Sequence, residues 1–254
     1  MHLLALEFPP VSRLVEWKPL FGTHGLLAIN KVVVLMWLSV IIVFGLFMVA
    51  GRSAKLVPTG VQNLAESIID FVTDGIIMQT MGPEGLGWLP FLVTMFTFVL
   101  VCNIWEVIPI AQMPVNARMA LPAFMAILVW VLFNFIGIKK QGFFTYFKGI
   151  MFPPGVPLPL YILITPIEFV STVVVRPISL SVRLFANMLA GHLLLTVFAI
   201  LTAALFASTY VGGLLPGALL VALYGFEVLV SVLQAFIFTI LTAVYIGGAM
   251  HPEH

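Results

Sequence analysis

Apolar residues fall along the chain in five blocks, each reaching the roughly 20 residues that a membrane-crossing helix needs. The blocks cover residues 30–50, 88–110, 118–138, 157–207 and 214–249. A Gly/Pro-rich stretch (Gly82, Pro83, Gly85, Gly87) precedes the second block, and Lys139 and Lys140 close the third. Pro153, Pro154, Pro157 and Pro159 introduce the fourth. Residues 1–29 form an N-terminal segment without the basic start, apolar run and small-residue cleavage site of a secretory signal. The first block is therefore expected to direct insertion itself.

The last two blocks are too long for a perpendicular crossing. At 1.5 Å per residue, a helix of about 50 residues measures roughly 75 Å, against a hydrocarbon core about 30 Å thick. Both helices are expected to be tilted, kinked or broken, with Pro166 and Pro177 as candidate kinks. A turn around Gly212, Gly213 and Pro216 would close them into a hairpin.

One stretch, 57–81, has a different pattern. Gln62, Glu66, Asp70 and Asp74 recur every four residues, while Val61, Leu64, Ile68 and Val72 line another side. This predicts an amphipathic helix on the membrane surface, its acidic stripe facing water or a protein neighbour rather than anionic lipid. The pattern as a whole predicts an all-α integral membrane protein forming a single domain over 1–254. About five membrane-embedded helices are joined by one amphipathic surface helix.

Composition agrees. Hydrophobic residues make up 62% of the 254 and charged residues only 8%, with a mean hydropathy of +1.18, where a soluble domain carries about 25% charged residues. The net charge of +1 gives no sign of a nucleic-acid partner, and the single cysteine, Cys102, excludes an internal disulfide. Arg52, Lys55, Lys139, Lys140 and Lys148 lie in connections on one side, against Arg118 alone on the other. The positive-inside rule then places the N-terminus outside and the C-terminus in the cytoplasm, with Arg13, Lys18 and Lys31 counting against it.

Against this background a few ionisable groups stand out. Between 157 and 250 the only formally charged residues are Glu168, Arg176, Arg183 and Glu227, with His192 the one titratable addition. A cation at the middle of a span costs about 2.5–3.5 kcal/mol on insertion scales, and arginine cannot shed its charge. At about 100° per residue, Thr172, Arg176, Ser179, Asn187 and Ala190 fall within about 40° of Arg183 if the helix continues through Pro177. His192 projects from the opposite face. On the last helix Glu227, Ser231 and Gln234 share one side, with Tyr245 in line farther along. Small residues beside Arg183 (Ser179, Ala186, Ala190) would admit a close-packed helix.

These residues leave alternatives open. Arg183 could be a fixed charge that an ion pathway requires, or a buried cation paired with Glu168 or Glu227. Arg176 reads as structural or snorkelling, and Asn103 as interhelical glue or channel lining. Glu106, followed by Pro109 near a span end, reads as interfacial. A secondary transporter or ion channel with an intramembrane Arg–Glu pair, and a non-conducting scaffold, both fit such a pattern.

The run PISLSVRLFANMLAGHLLL (177–195), with Glu227 and Gln234 downstream, resembles subunit a of the rotary F-type ATP synthase. The resemblance extends to the amphipathic helix, the 103–109 segment and the terminal hairpin; Ala186 stands where many members have glycine. It implies a non-catalytic, proton-translocating stator subunit with two offset half-channels, in a bacterial plasma membrane. The implied partners are a c-ring whose carboxylates pass Arg183, peripheral-stalk b-type subunits, lipid and the translocated proton. No cofactor or metal is implied. Arg183 would be the fixed charge, Glu227 and His192 relay groups, and Asn187 and Gln234 orienting hydrogen-bonders. Glu168, Arg176, Ser231 and Asn103 are weaker candidates.

Overall fold

A computed structural model describes residues 29–52, 55–108, 111–152, 160–209 and 211–250. The N-terminal segment with Arg13 and Lys18, Pro109 and the proline cluster at 153–159 lie outside the described residues. What is described is helical throughout, without strands. This is expected where backbone polar groups must be satisfied without water.

The elements are α1 (Lys31–Arg52), α2 (Val61–Val72), α3 (Leu89–Ile104), α4 (Ala120–Gln141), α5 (Phe143–Met151), α6 (Tyr161–Val170), α7 (Arg176–Ser208) and α8 (Leu214–Met250). Five segments are long and apolar enough to cross a membrane: Lys31–Arg52, Gly82–Ile104, Ala120–Gln141, Tyr161–Ala207 and Leu214–Met250. Asn30 caps α1, its Oδ1 accepting from the Val33 N–H at 3.1 Å. Gly142, at φ 81°, ends α4, its N–H bonding the Ile138 carbonyl at 2.9 Å.

Pro166 and Pro177 do not break the fourth long segment. The helix widens instead, through a π-type turn at Ser171–Val175 between α6 and α7. The Arg176 N–H there reaches back to the Ser171 carbonyl. The next donor in that register is Pro177, which has no N–H, so the Thr172 carbonyl would be orphaned. The indole Nε1 of Trp130 on α4 donates to it at 3.3 Å. The extra residue in the turn also shifts Thr172 out of phase with the arginine stripe: Thr172 is buried, Ser179 exposed.

The chain divides into two compact units. The first takes the described parts of Met1–Gly45, Phe98–Arg118 and Phe185–Ala235. In it α7 and α8 run antiparallel through the turn at 209–213. Cβ atoms added at Gly213 and Gly217 would meet Phe206 and Thr202, and one at Gly191 would meet Glu227, so partners recede in step along both helices. The α3–α4 connection folds inward here, burying Met113, Val115, Asn116 and Ala117. It passes through Gln112 at φ 43°, a left-handed conformation unusual for a non-glycine residue.

The second unit takes Leu46–Thr97, Met119–Leu184 and the described part of Phe236–His254. There α2 packs through Phe71 on Phe96 and Phe236, with ring centroids 5.4 and 5.7 Å apart. The buried residues of α2 and its continuation are Gln62, Ala65, Val72, Ile76 and Ile77, whereas Val61 and Leu64 are exposed. Gln62 is thus buried at the edge of the acidic stripe, its Nε2 donating to Glu66 Oε1 at 2.7 Å. Its amide accepts from the Lys55 N–H at 3.0 Å and donates to the Lys55 carbonyl at 2.8 Å.

Candidate functional site

In the first unit, α8 presents Glu227, Ser231 and Gln234 at i, i+4 and i+7, all buried despite their polarity. Beside them Asn103, on the last turn of α3, donates through Nδ2 to the Ser231 carbonyl at 3.4 Å. Its Oδ1 accepts from Asn116 Nδ2 at 2.7 Å. Asn103 is therefore both interhelical glue and part of the polar cluster.

Glu106 overturns the interfacial reading. It is 1% exposed, because the inward fold of the 105–118 connection carries it under the protein surface instead of releasing it at the span end. It lies beyond the end of α3, and its carboxyl faces that of Glu227 on α8. Burial first, and the charge of Glu227 second, push the Glu106 carboxyl well above the ordinary carboxylate range.

Oγ of Ser231 and Oδ1 of Asn116 are buried without a protein hydrogen-bond partner, and both oxygens of Glu106 and Oε1 of Glu227 are buried with none beyond each other. One such orphan costs about 1–3 kcal/mol. Such a concentration of buried polar atoms sets this cluster apart from the apolar packing around it. Gly191 of α7 admits the cluster to the helix backbone. A Cβ there would collide with the Glu227 carboxylate, 2.6 Å from Cδ and 2.7 Å from Oε2. His192 follows directly, half-buried on α7.

The charged groups of the second unit are arranged otherwise. Arg176 lies over the Tyr245 ring, 5.3 Å from its centroid, and the same ring packs 5.7 Å from Phe133. That contact supports a structural role. Glu168 is half-buried. Arg183 is half-buried, and no carboxylate among the described residues of its unit pairs with it. One side of α7 is buried through Leu180, Leu184, Met188, Gly191 and Leu195. The other side, with Ser179, Ala186, Asn187 and Ala190, is exposed around Arg183. Arg183 thus sits on an open stripe of small and polar residues.

Of the residues singled out by sequence, Glu227, Ser231, Gln234 and Asn103 come together in the first unit, and Arg176 and Arg183 share the second with Glu168. The sequence alone reads Glu106 as interfacial and does not single out Asn116. The i, i+3 spacing of Asn103 and Glu106 across a helix end was the available signal.

Comparison with known proteins gives one consistent result. The family model described as "ATP synthase A chain" matches residues 33–247. An ATP synthase subunit a of Parafrankia sp. is 46% identical over 223 residues, covering 87% of this chain and 76% of the relative. That of Frankia alni is 44% identical over 231 residues, covering 90% and 80%. That of Rhodococcus erythropolis is 42% identical over 255 residues, covering 97% and 89%.

Proposed function

Because the chain belongs to the ATP synthase A chain family, we propose that Arg183 and the Glu106–Glu227 pair couple proton flow to rotation of a c-ring. The protein is a multi-pass membrane protein of the proton-transporting sector of the ATP synthase.

The open stripe around Arg183 carries this reading. A carboxylate of a rotating c subunit holds its proton in lipid, because desolvation disfavours the charged form. Opposite Arg183 it ionises and gives the proton up, and a half-channel on either side supplies or drains it. Arg183 acts as a fixed electrostatic gate between the half-channels and not as a carrier. Each elementary charge crossing 100 mV releases about 2.3 kcal/mol, and rotation delivers that energy to ATP synthesis on other subunits. Subunit a is then a stator without chemistry of its own, held by peripheral-stalk subunits of the b type.

The buried cluster of the first unit serves as the relay of one half-channel. Glu106 and Glu227 exchange a proton between them, with His192 next along α7. Asn103, Asn116, Ser231 and Gln234 orient the hydrogen-bonded path, and Asn187 stands one turn from Arg183. A bacterial plasma membrane fits the bacterial relatives, and an orientation with the N-terminus outside and the C-terminus in the cytoplasm fits the lysine and arginine distribution. The test is Glu227→Gln in inverted membrane vesicles: ATP-driven acidification slows while the complex still assembles. Acidification at the wild-type rate removes Glu227 from the path.

A further inference from the structure

The 105–118 connection carries two buried members of the cluster, Glu106 and Asn116, yet it is not held by regular structure. Among its described residues the one helical turn is Val115–Ala117, and it passes through a left-handed Gln112. Such a conformation persists only where the surroundings impose it. The Ala111 and Gln112 N–H groups close the turn on the Ile108 carbonyl, and two contacts from α1 tie the connection down. The Trp105 indole Nε1 donates to Ser39 Oγ at 2.8 Å, and that hydroxyl, fully buried, donates on to the Leu35 carbonyl at 2.8 Å. One helical stretch earlier, Lys31 Nζ donates to the Ala111 carbonyl at 2.6 Å.

These contacts grip the residue directly before Glu106 and a residue midway between Glu106 and Asn116. Lys31 is also poorly placed for its own helix. As the first residue of α1 it lies at the positive end of the dipole, where a cation is disfavoured. Its charge-assisted bond to a carbonyl of the connection gives it a reason to be there. A serine buried in a lipid-facing helix is likewise explained by the indole it receives.

We propose that α1 is the positioning element of the proton relay: Lys31 and Ser39, acting through Ala111 and Trp105, hold Glu106 opposite Glu227. This rests on the reading of that pair as a relay. Lys31 and Ser39 do not transfer the proton. They fix the distance over which it moves, so loosening them shifts the proton affinity of the pair as well as the rate. The titratable group bearing on Glu106 is the Glu227 carboxyl on α8.

The experiment uses the whole ATP synthase in inverted vesicles, with acidification rates normalised to assembled complex and measured from neutral to alkaline pH. Trp105→Phe keeps the ring and removes the donor; Lys31→Gln removes the charge; Lys31→Arg keeps it. Trp105→Phe and Lys31→Gln are each expected to lower the rate about 3- to 10-fold, the factor that one net hydrogen bond represents. Both are expected to displace the pH profile, while Lys31→Arg restores rate and profile. Wild-type rates and an unmoved profile in Trp105→Phe and Lys31→Gln overturn the proposal, as does failure of Lys31→Arg to rescue. If Lys31→Gln lowers only the amount of complex, leaving rate per complex and profile unchanged, α1 serves assembly alone and the proposal falls. Glu106→Gln separates this from the reading beneath it. Normal pumping in Glu106→Gln sinks the relay itself, whereas lost pumping there with normal clamp variants sinks only the positioning role.

Discussion

Gly191→Ala isolates the position of one carboxylate from the stability of the fold. The added Cβ would lie 2.6 Å from Glu227 Cδ and 2.7 Å from Oε2, where ordinary carbon contacts lie at about 3.5–4.0 Å, so the carboxylate must retreat by about 1 Å. The colliding atoms are the far end of a side chain with three rotatable bonds. Relief by rotation is therefore easy, and the helix pair survives. Proton transfer is less forgiving, since a misplacement of about 1 Å can cost about 10²-fold in rate. We expect Gly191→Ala to assemble normally and to lose at least about tenfold in ATP-driven acidification of inverted vesicles, measured per assembled complex. Glu227→Asp in the same chain shortens the acid by one methylene and is expected to recover part of the loss. Gly225→Ala, on α8 with open space around it, is the control and is expected to pump normally. Wild-type pumping by Gly191→Ala would refute the argument that the carboxylate works from its place against α7.

Three further expectations follow. Glu106 has a raised pKa in the fold, so folding favours its protonated form, and stability falls as pH rises from about 4.3, the ordinary glutamate value, towards the raised one. Glu106→Gln is expected to flatten that fall in a melting series of the complex, and an unchanged slope would contradict the burial argument. Trp130→Phe orphans the Thr172 carbonyl beside the π-type turn and is expected to cost about 1–3 kcal/mol, read as a lower melting temperature; an unchanged melt would show that the carbonyl is satisfied otherwise. Loosening the α1 contacts through Trp105 and Lys31 is expected to move the pH profile of pumping as described above.

The spans, the two long terminal helices and the arginine run are legible in the sequence, because each rests on local composition or on spacing along one helix. The α8 stripe of Glu227, Ser231 and Gln234 is legible for the same reason. Glu106 is not. Its distance from the α3 end suggests an interface, and only the inward fold of the connection, held from α1 some 66 to 80 residues away in sequence, buries it. The buried side of α2 is misread similarly: Gln62 looks solvent-facing until the Lys55 backbone supplies its partners. Pro166 and Pro177 suggest kinks; the π-type turn just before Pro177, with Trp130 of α4 on the Thr172 carbonyl, depends on a long-range contact that spacing along one helix does not show.

The central claim is that Arg183 is a fixed gate for a proton carried by a neighbouring subunit. Arg183→Ala tests it in inverted vesicles from cells assembling normal amounts of complex, with ATP-driven acidification and passive proton leak measured on the same membranes. The account predicts that acidification disappears while the passive leak persists or rises, because the barrier between the half-channels is gone. Acidification at the normal rate would contradict it.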